Sequence, residues 1–145
     1  METTLAYIAG LFDGEGTCGL AIYGKDYSYN PSYQANVNIT NTSYDLLESV
    51  KLDINLGKID FSRGEESNKN WKKAYKLWFP QEQVPIFLKL IQPFVRLKDL
   101  QINLVLEYYS IVKAYCKLSG IKDPDVAYKE HLIYKNLLEL NKRGL

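Results

Sequence analysis

Residues 5–16, LAYIAGLFDGEG, carry an amphipathic helical pattern that limits what the chain can fold into. Leu5, Ile8 and Phe12 recur at helical spacing and predict one face that packs on a core. The neighbouring stripe is mostly small, and small residues let a second helix approach closely. This stripe comprises Ala6, Ala9, Gly10 and Asp13. The pattern therefore predicts a helix that packs on its own core and on a second helix.

Two glycines, Gly14 and Gly16, flank a carboxylate, Glu15, where this helix is expected to end. A surface helix with a glycine C-cap and an exposed Glu would show the same pattern. The order of the residues distinguishes that interpretation from a helix that carries a functional carboxylate. Residues 8–16 read IAGLFDGEG and resemble the LAGLIDADG motif of homing endonucleases. The resemblance implies an intron-homing enzyme of the single-motif group, which forms homodimers through its motif helices at the stripe described above.

The same resemblance implies that Glu15 binds the catalytic metal, with the carbonyl of Gly14 as a further ligand. Hard oxygen ligands suit Mg²⁺ or another divalent cation such as Mn²⁺. Such an ion activates water and stabilises the leaving oxygen in phosphodiester hydrolysis. Asp13 is expected to have a structural role at the helix end and interface.

Composition excludes several classes of protein. A chain of 145 residues predicts a single domain over 1–145 with a real core. The net charge is +1, so a basic nucleic-acid surface has to be local. Two Cys and one His make no zinc pattern and suggest a reducing compartment. We expect neither a membrane span nor a signal peptide, because no apolar run approaches the length of a span and no basic region precedes the first helix. We therefore expect an intracellular protein, in the compartment that holds its target DNA.

Hydrophobic periodicity predicts the order helix, hairpin, helix, hairpin, helix and then C-terminal helices, an α+β chain. The expected first helix is capped by Thr3 or Thr4 and ends near Asp13, and the second follows a capping box at Thr42 and ends at Gly57. The other expected elements are strands at 17–24, 34–40, 58–63 and 71–79 and helices at 81–90, 98–118 and 124–141. This αββαββα order resembles the LAGLIDADG core and implies an antiparallel, saddle-shaped DNA-binding sheet.

One strand has an unusual polar face. Amide and hydroxyl side chains alternate there with apolar ones: Gln34, Asn36, Asn38 and Thr40 against Ala35, Val37 and Ile39. A solvent-facing antiparallel sheet is the simpler interpretation, but it would favour Thr, Lys and Glu, and strands otherwise disfavour Asn. Carboxamides pair with base edges, and two-stranded ribbons fit the major groove. Together with the motif, the pattern predicts a surface that binds double-stranded DNA.

The same alternation gives DNA-contacting residues in the other strands. In the first strand these are Tyr23 and Lys25, with Ala21 on the same face; in the second hairpin they are Lys58, Asp60, Ser62, Lys72, Ala74 and Lys76. Which residues of the second hairpin face DNA stays open, because this alternation also places Trp78 on the polar face. Basic residues at this hairpin are expected at phosphates instead of bases: Arg63, Lys69, Lys72 and Lys73. A solvated hairpin tip is the alternative interpretation.

The segment QPFVRLK, residues 92–98, supplies two further basic side chains. A proline-broken turn with both of them in solvent is the plain interpretation. The family resemblance implies instead that Lys98 lies near the scissile phosphates, where it can stabilise developing charge; Arg96 is the competing candidate and a DNA contact. Asn41 falls where the family places a polar residue near the active-site water. His131 is expected to be a packed or surface histidine.

These features imply a homodimeric, site-specific DNA endonuclease. It would cut both strands of a long pseudo-palindromic site and leave short 3′ overhangs. Two alternatives of the same fold stay open. One is a maturase that binds intron RNA and assists splicing, and the other is a DNA-binding protein that has lost cleavage.

Overall fold

The computed structural model describes residues 2–23, 32–63, 73–115 and 124–142. Its helices are α1 (Glu2–Glu15), α2 (Tyr44–Ile54), α3 (Val84–Ile91), α4 (Asp99–Tyr115) and α5 (Pro124–Asn141), with a 3₁₀ turn at Gln92–Phe94. Its strands are β1 (Gly16–Tyr23), β2 (Ser32–Asn41), β3 (Lys58–Arg63) and β4 (Ala74–Trp78), in one sheet of order β1-β2-β4-β3. The αββαββα order and the α+β class are confirmed. None of the described helices is long and apolar enough to cross a membrane.

The chain divides into two compact units. The first comprises residues 1–17 and 37–98, and the second comprises residues 18–36 and 99–145. Phe87 organises the core of the first unit: its ring stacks on Phe79 with centroids 4.0 Å apart and meets Phe12 edge-on at 5.6 Å. The same unit contains these fully buried aliphatic side chains: Ile8, Ile39, Leu47, Leu77, Leu88 and Ile91. Because burial of each such side chain contributes about 1.5–3 kcal/mol, this cluster stabilises the end of α1.

The start of β1 determines where α1 ends. The helix includes Thr3 and Thr4, so the expected threonine cap is wrong, and it runs to Glu15, two residues beyond the expected end near Asp13. A Cβ atom on Gly16 would lie 2.5 Å from the carbonyl oxygen of Phe12. Only glycine fits there, because the strand leaves directly from the last turn of the helix. Glu15 is consequently held at this junction.

Two corrections concern α2. Ser43, and not Thr42, is its N-cap, since the Ser43 hydroxyl accepts from the backbone N–H of Leu46 at 3.2 Å. The helix ends at Ile54 because Asn55 takes the left-handed conformation with φ 55° and donates to the Lys51 carbonyl. Gly57, with φ 92°, lies just beyond and begins the turn into β3.

In the second unit α4 packs on α5 through buried apolar side chains: Ile102, Val105, Ile133 and Leu137. Tyr33 of β2 is the main polar contact here. Its hydroxyl is hydrogen-bonded to Nδ1 of His131 at 2.9 Å, and its carbonyl accepts from the Tyr108 hydroxyl at 2.6 Å. Burial and the neighbouring Glu130 carboxylate raise the pKa of Tyr33 above its ordinary value. His131 is thus a packed histidine, as expected.

Candidate active site and nucleic-acid interface

Glu15 is exposed at the end of α1, and Asn41 fixes one of its two carboxylate oxygens. Nδ2 of Asn41 donates to Oε2 of Glu15 at 2.5 Å. Oδ1 of Asn41 accepts from the backbone N–H of Ser43 at 2.7 Å. Because a backbone N–H can only donate, this second bond decides which end of the amide faces Glu15. The carboxylate is therefore held by a side chain whose own orientation is fixed by the start of α2.

Asn41 ends β2 on the face opposite to the polar one. It pairs with Tyr75 in β4, and the preceding residue on its own face is the buried Ile39. Side chains alternate along a strand, so Asn41 points to the side on which Ile39 packs. The core ends at this position, which leaves Asn41 half-exposed and in reach of Glu15. The alternation therefore sets Asn41 apart from the residues expected to read DNA.

Asp13 anchors the segment that contains Lys98. Its Oδ2 accepts from the backbone N–H of Arg96 at 2.8 Å, and its Oδ1 accepts from those of Leu97 and Lys98 at 3.2 and 3.1 Å. Each hydrogen bond to a charged acceptor contributes about 1.5–3 kcal/mol before screening by solvent. These bonds give Asp13 a structural role at the end of α1, while its expected place in a dimer interface stays a prediction.

The side chain of Lys98 lies against the end of the same helix. Its Nζ donates to the carbonyl oxygen of Asp13 at 3.0 Å. A cation at a helix C-terminus is favoured by the helix dipole. The carbonyl that holds this ammonium belongs to the residue two positions before Glu15. Arg96 contributes its backbone N–H to the anchor while its side chain is exposed, so the structure brings Lys98 rather than Arg96 to the motif.

The residues present suit part of a divalent-metal site. Glu15 offers an exposed carboxylate, whereas that of Asp13 is engaged by backbone N–H groups. Gly14 is exposed, and a Cβ there would meet nothing within 4 Å. Within the described ranges, no group of three or more His, Cys, Asp or Glu side chains could hold a metal ion. Among the described residues of one copy, Glu15 is therefore the carboxylate left available to a cation at this helix end.

The exposed stripe of α1 differs from the expected one. Ala9 is fully buried in its own unit, because it lies beside Ile8 on the core side, and its expected place in a dimer interface is wrong. Ala6, Gly10 and Gly14 are exposed at i, i+4 and i+8. A Cβ on Gly10 would meet nothing within 4 Å. The stripe open to a second helix is therefore Ala6, Gly10 and Gly14.

Strand pairing shows which residues of the second hairpin share the polar face of β2. Thr40 of β2 lies opposite Lys76 of β4, which lies opposite Asp60 of β3. Directly opposed residues share a face, so the polar face of β2 continues across all three strands. Lys58, Asp60 and Ser62 are exposed, and Thr40 and Lys76 are half-buried. Ala74 is 2% exposed and belongs to the core, so its expected contact with DNA is wrong.

Trp78 lies on this polar face and has partners there. It pairs with Asn38 of β2 and Lys58 of β3. Its indole Nε1 donates to Oδ2 of Asp60 at 2.6 Å, and Nζ of Lys58 lies 5.6 Å from its ring centroid. Asp60 and Lys58 thus satisfy the polar edge and the ring face of a tryptophan that looked misplaced. This cluster was missed because cross-strand register cannot be read from one strand alone.

In the second unit, Gln34 and Asn36 are exposed and alternate with the buried Tyr33 and Ala35, as expected. Farther along β2, Asn38 is only 6% exposed. Its cross-strand neighbour is the bulky Trp78, and its Oδ1 accepts from the Thr40 hydroxyl at 3.5 Å. Asn38 therefore differs from Gln34 and Asn36 in presenting little of its amide at the surface.

Some expected DNA contacts lie outside the described residues. These are Lys25, Lys69 and Lys72, together with the side chains of Tyr23 and Arg63. Lys73 is described: it is exposed, and its Nζ lies 5.9 Å from the ring centroid of Phe61.

Solved structures similar to this chain are homing endonucleases bound to DNA. I-CvuI, in complex with an I-CreI target in the presence of 2 mM Mg and with the DNA not cleaved, gives a TM-score of 0.77 at 18% identity, over 96% of this chain and 82% of that chain. The archaeal intron-encoded homing endonuclease I-Vdi141I, complexed with DNA, gives 0.78 at 16% identity, over 99% and 87%.

The LAGLIDADG homing endonuclease I-LtrWI, bound to target DNA, gives a TM-score of 0.69 at 18% identity, over 90% of this chain and 42% of that chain. No protein-family profile matches the chain, and no curated protein matches it by sequence. At these identities the likeness shows the fold.

Proposed function

We propose that this chain, which has the fold of the LAGLIDADG homing endonucleases, is a site-specific DNA endonuclease. The observation that carries the proposal is the helix end at which Asn41 holds Glu15 and the Asp13 carbonyl holds Lys98. A carboxylate can hold a metal ion and a cation can stabilise charge on a phosphate, and both effects favour phosphodiester hydrolysis. The DNA targets named for I-CvuI and I-LtrWI support double-stranded DNA as the substrate.

The active form is a homodimer paired through α1. The open stripe of Ala6, Gly10 and Gly14 supports this arrangement, since small residues allow two helix backbones to approach closely. A two-fold axis along the stripe would bring Glu15 of both copies to the same end of the helix pair. The site is then completed by the second copy, which supplies the carboxylate that one chain lacks. A two-fold dimer would read a pseudo-palindromic site and cut both strands, leaving short 3′ overhangs.

Glu15 would hold Mg²⁺, or another divalent cation such as Mn²⁺, through the oxygen that Asn41 does not engage, with the Gly14 carbonyl as a further ligand. When bound, the ion supplies an activated water and stabilises the leaving oxygen. Asn41 keeps the Glu15 carboxylate in one orientation, and Lys98 stabilises the charge that develops on the scissile phosphate. The Mg named with the I-CvuI complex supports this choice of ion.

Polar strand faces bind the substrate. In the second unit Gln34 and Asn36 read base edges, and in the first unit Lys58 and Lys76 contribute positive charge. Arg96, whose side chain is exposed on the segment that Asp13 anchors, is a contact to the DNA backbone. On the same face, Asn38 is only 6% exposed and accepts from the Thr40 hydroxyl, so it orients Thr40, and Thr40 and Ser62 are further contacts to DNA.

Selective cleavage of a duplex library tests the proposal. The purified chain is incubated with randomised DNA duplexes, with Mg²⁺ or with a chelator, and cut ends are sequenced. We expect cuts at one related set of sequences, only with the metal, and with short 3′ overhangs. Binding without any cleavage, or cutting that ignores sequence, would contradict the proposal.

A further inference from the structure

An exposed carboxylate on a DNA-binding face needs an explanation, because phosphates repel it. Asp60 is such a residue: it is exposed on β3, on the face that carries Thr40 and Lys76. Its Oδ2 accepts from the indole N–H of Trp78 at 2.6 Å, which fixes the rotation of the carboxylate. Lys58, two residues earlier on the same face, and Lys76, directly opposite, offset the negative charge near DNA.

The chemistry of the groove then limits what Asp60 can recognise. An ionised carboxylate only accepts hydrogen bonds. In the major groove, guanine and thymine present acceptors to it, and adenine presents an amino group beside the acceptor N7. Cytosine presents the amino group N4 without that neighbouring acceptor. A carboxylate with one oxygen on Trp78 and the other directed to DNA thus favours cytosine.

We propose that Asp60, held by Trp78, is a specificity-determining residue that selects a cytosine through its N4 amino group. This inference rests on the proposed function. It assigns a target base to a residue that the sequence suggested only as one of several DNA contacts. Trp78 is the positioning residue, since it acts through Asp60.

The Asp60→Asn variant gives a sharp test because the indole N–H can only donate. The amide oxygen of Asn must then take the Trp78 bond, so its NH₂ group faces the DNA. We expect the preferred base to change from cytosine to one that presents acceptors, guanine or thymine. In the double variant with Trp78→Phe the amide is free to present both groups, which suits adenine.

The experiment is a binding selection from randomised duplexes with the full chain, before any divalent metal is added. Wild type is compared with Asp60→Asn, Trp78→Phe, the double variant and Asp53→Asn, which removes an exposed carboxylate from α2. For Asp60→Asn we expect an about tenfold loss of preference for cytosine at one position of each half-site, with other positions unchanged. Trp78→Phe should weaken that preference without changing the base, and Asp53→Asn should match wild type. Thermal unfolding checks that every variant is folded.

Two outcomes overturn the inference and are distinguishable. If wild type selects a sequence and Asp60→Asn selects the same base at every position, the Trp78–Asp60 pair is only structural, while the proposed function stands. If wild type selects no sequence at all, the proposed function fails and the inference fails with it.

Discussion

Lys98 is bonded to Asp13 twice: its backbone N–H donates to the Asp13 carboxylate at 3.1 Å, and its Nζ donates to the Asp13 carbonyl at 3.0 Å. The two acids of the motif therefore have different environments. The Asp13 carboxylate is engaged by backbone N–H groups, whereas the Glu15 carboxylate is exposed and meets the Asn41 amide. This difference supports the assignment of the metal to Glu15 and of segment positioning to Asp13.

Asp13→Ala should lower the free energy of unfolding by about 1–3 kcal/mol, the cost of leaving backbone donors without their acceptor. Three backbone N–H groups lose their acceptor, and water replaces it only in part. Urea unfolding measures the change. Glu107→Ala is the matched control, since it removes an exposed carboxylate from the middle of α4. Equal losses in the two variants would contradict the anchoring role.

Lys98→Ala should slow cleavage more than it weakens binding. Loss of one electrostatic group at a reacting centre typically costs ~3 kcal/mol in the transition state. Single-turnover rates on the selected duplex give the first effect, and Kd gives the second. Arg96→Ala is the control, and it should reduce affinity with little change in rate. An unchanged rate for Lys98→Ala would make Lys98 a phosphate contact and Arg96 the better catalytic candidate.

Glu15→Gln should abolish cleavage while DNA binding survives. The amide keeps an oxygen that can accept from Asn41, so the local fold is retained, but it loses the charge that holds a divalent cation. Cleavage is assayed on the selected duplex over a range of Mg²⁺ concentrations. Glu48→Gln, at an exposed position on α2, should cleave like wild type. Full activity of the Glu15 variant would contradict the catalytic role assigned to Glu15.

Gly10→Leu should prevent pairing of α1 with its copy without unfolding the protomer. A side chain at Gly10 meets open space within one copy but would separate two closely packed helices. Light scattering on cognate DNA measures the mass of the complex. Ser110→Leu, which enlarges a small side chain at an exposed helical position, should stay dimeric. A wild-type chain that remains monomeric on DNA would rule out the interface.

The sequence predicts the element order well because each element carries its own periodicity. The alternation from Gln34 to Thr40 and the helical stripe through Ile8 and Phe12 are local patterns, and the structure has the strand and the helix there. Errors in the caps have local causes as well. Thr42 and Ser43 both have capping side chains, and only the backbone conformation decides that Ser43 accepts from Leu46.

The contacts of the site were harder to predict, because they join residues far apart in the chain. Asn41 at the end of β2 meets Glu15 at the end of α1, and Trp78 meets Asp60 through strand register. No pattern within a single element encodes either contact. Asn38 has the right alternation, yet its cross-strand neighbour Trp78 leaves it buried. Ala9 lies at the edge of the helix stripe, where a rotation of a few tens of degrees decides between core and surface.

The last prediction separates base reading from phosphate binding. Gln34 and Asn36 are exposed amides on one face of β2, so changing either to Ala should relax preference at only one or two base pairs, by roughly 1–3 kcal/mol for a good bidentate contact. Lys73→Ala should weaken binding to all sequences and flatten its salt dependence, as loss of a phosphate contact does. Affinities over all single-base variants of the selected site, at several salt concentrations, distinguish the two effects. Asn136→Ala, an exposed amide on α5, should change neither. Uniform loss of affinity in the Gln34 and Asn36 variants, with base preference unchanged, would mean that these amides do not read the target.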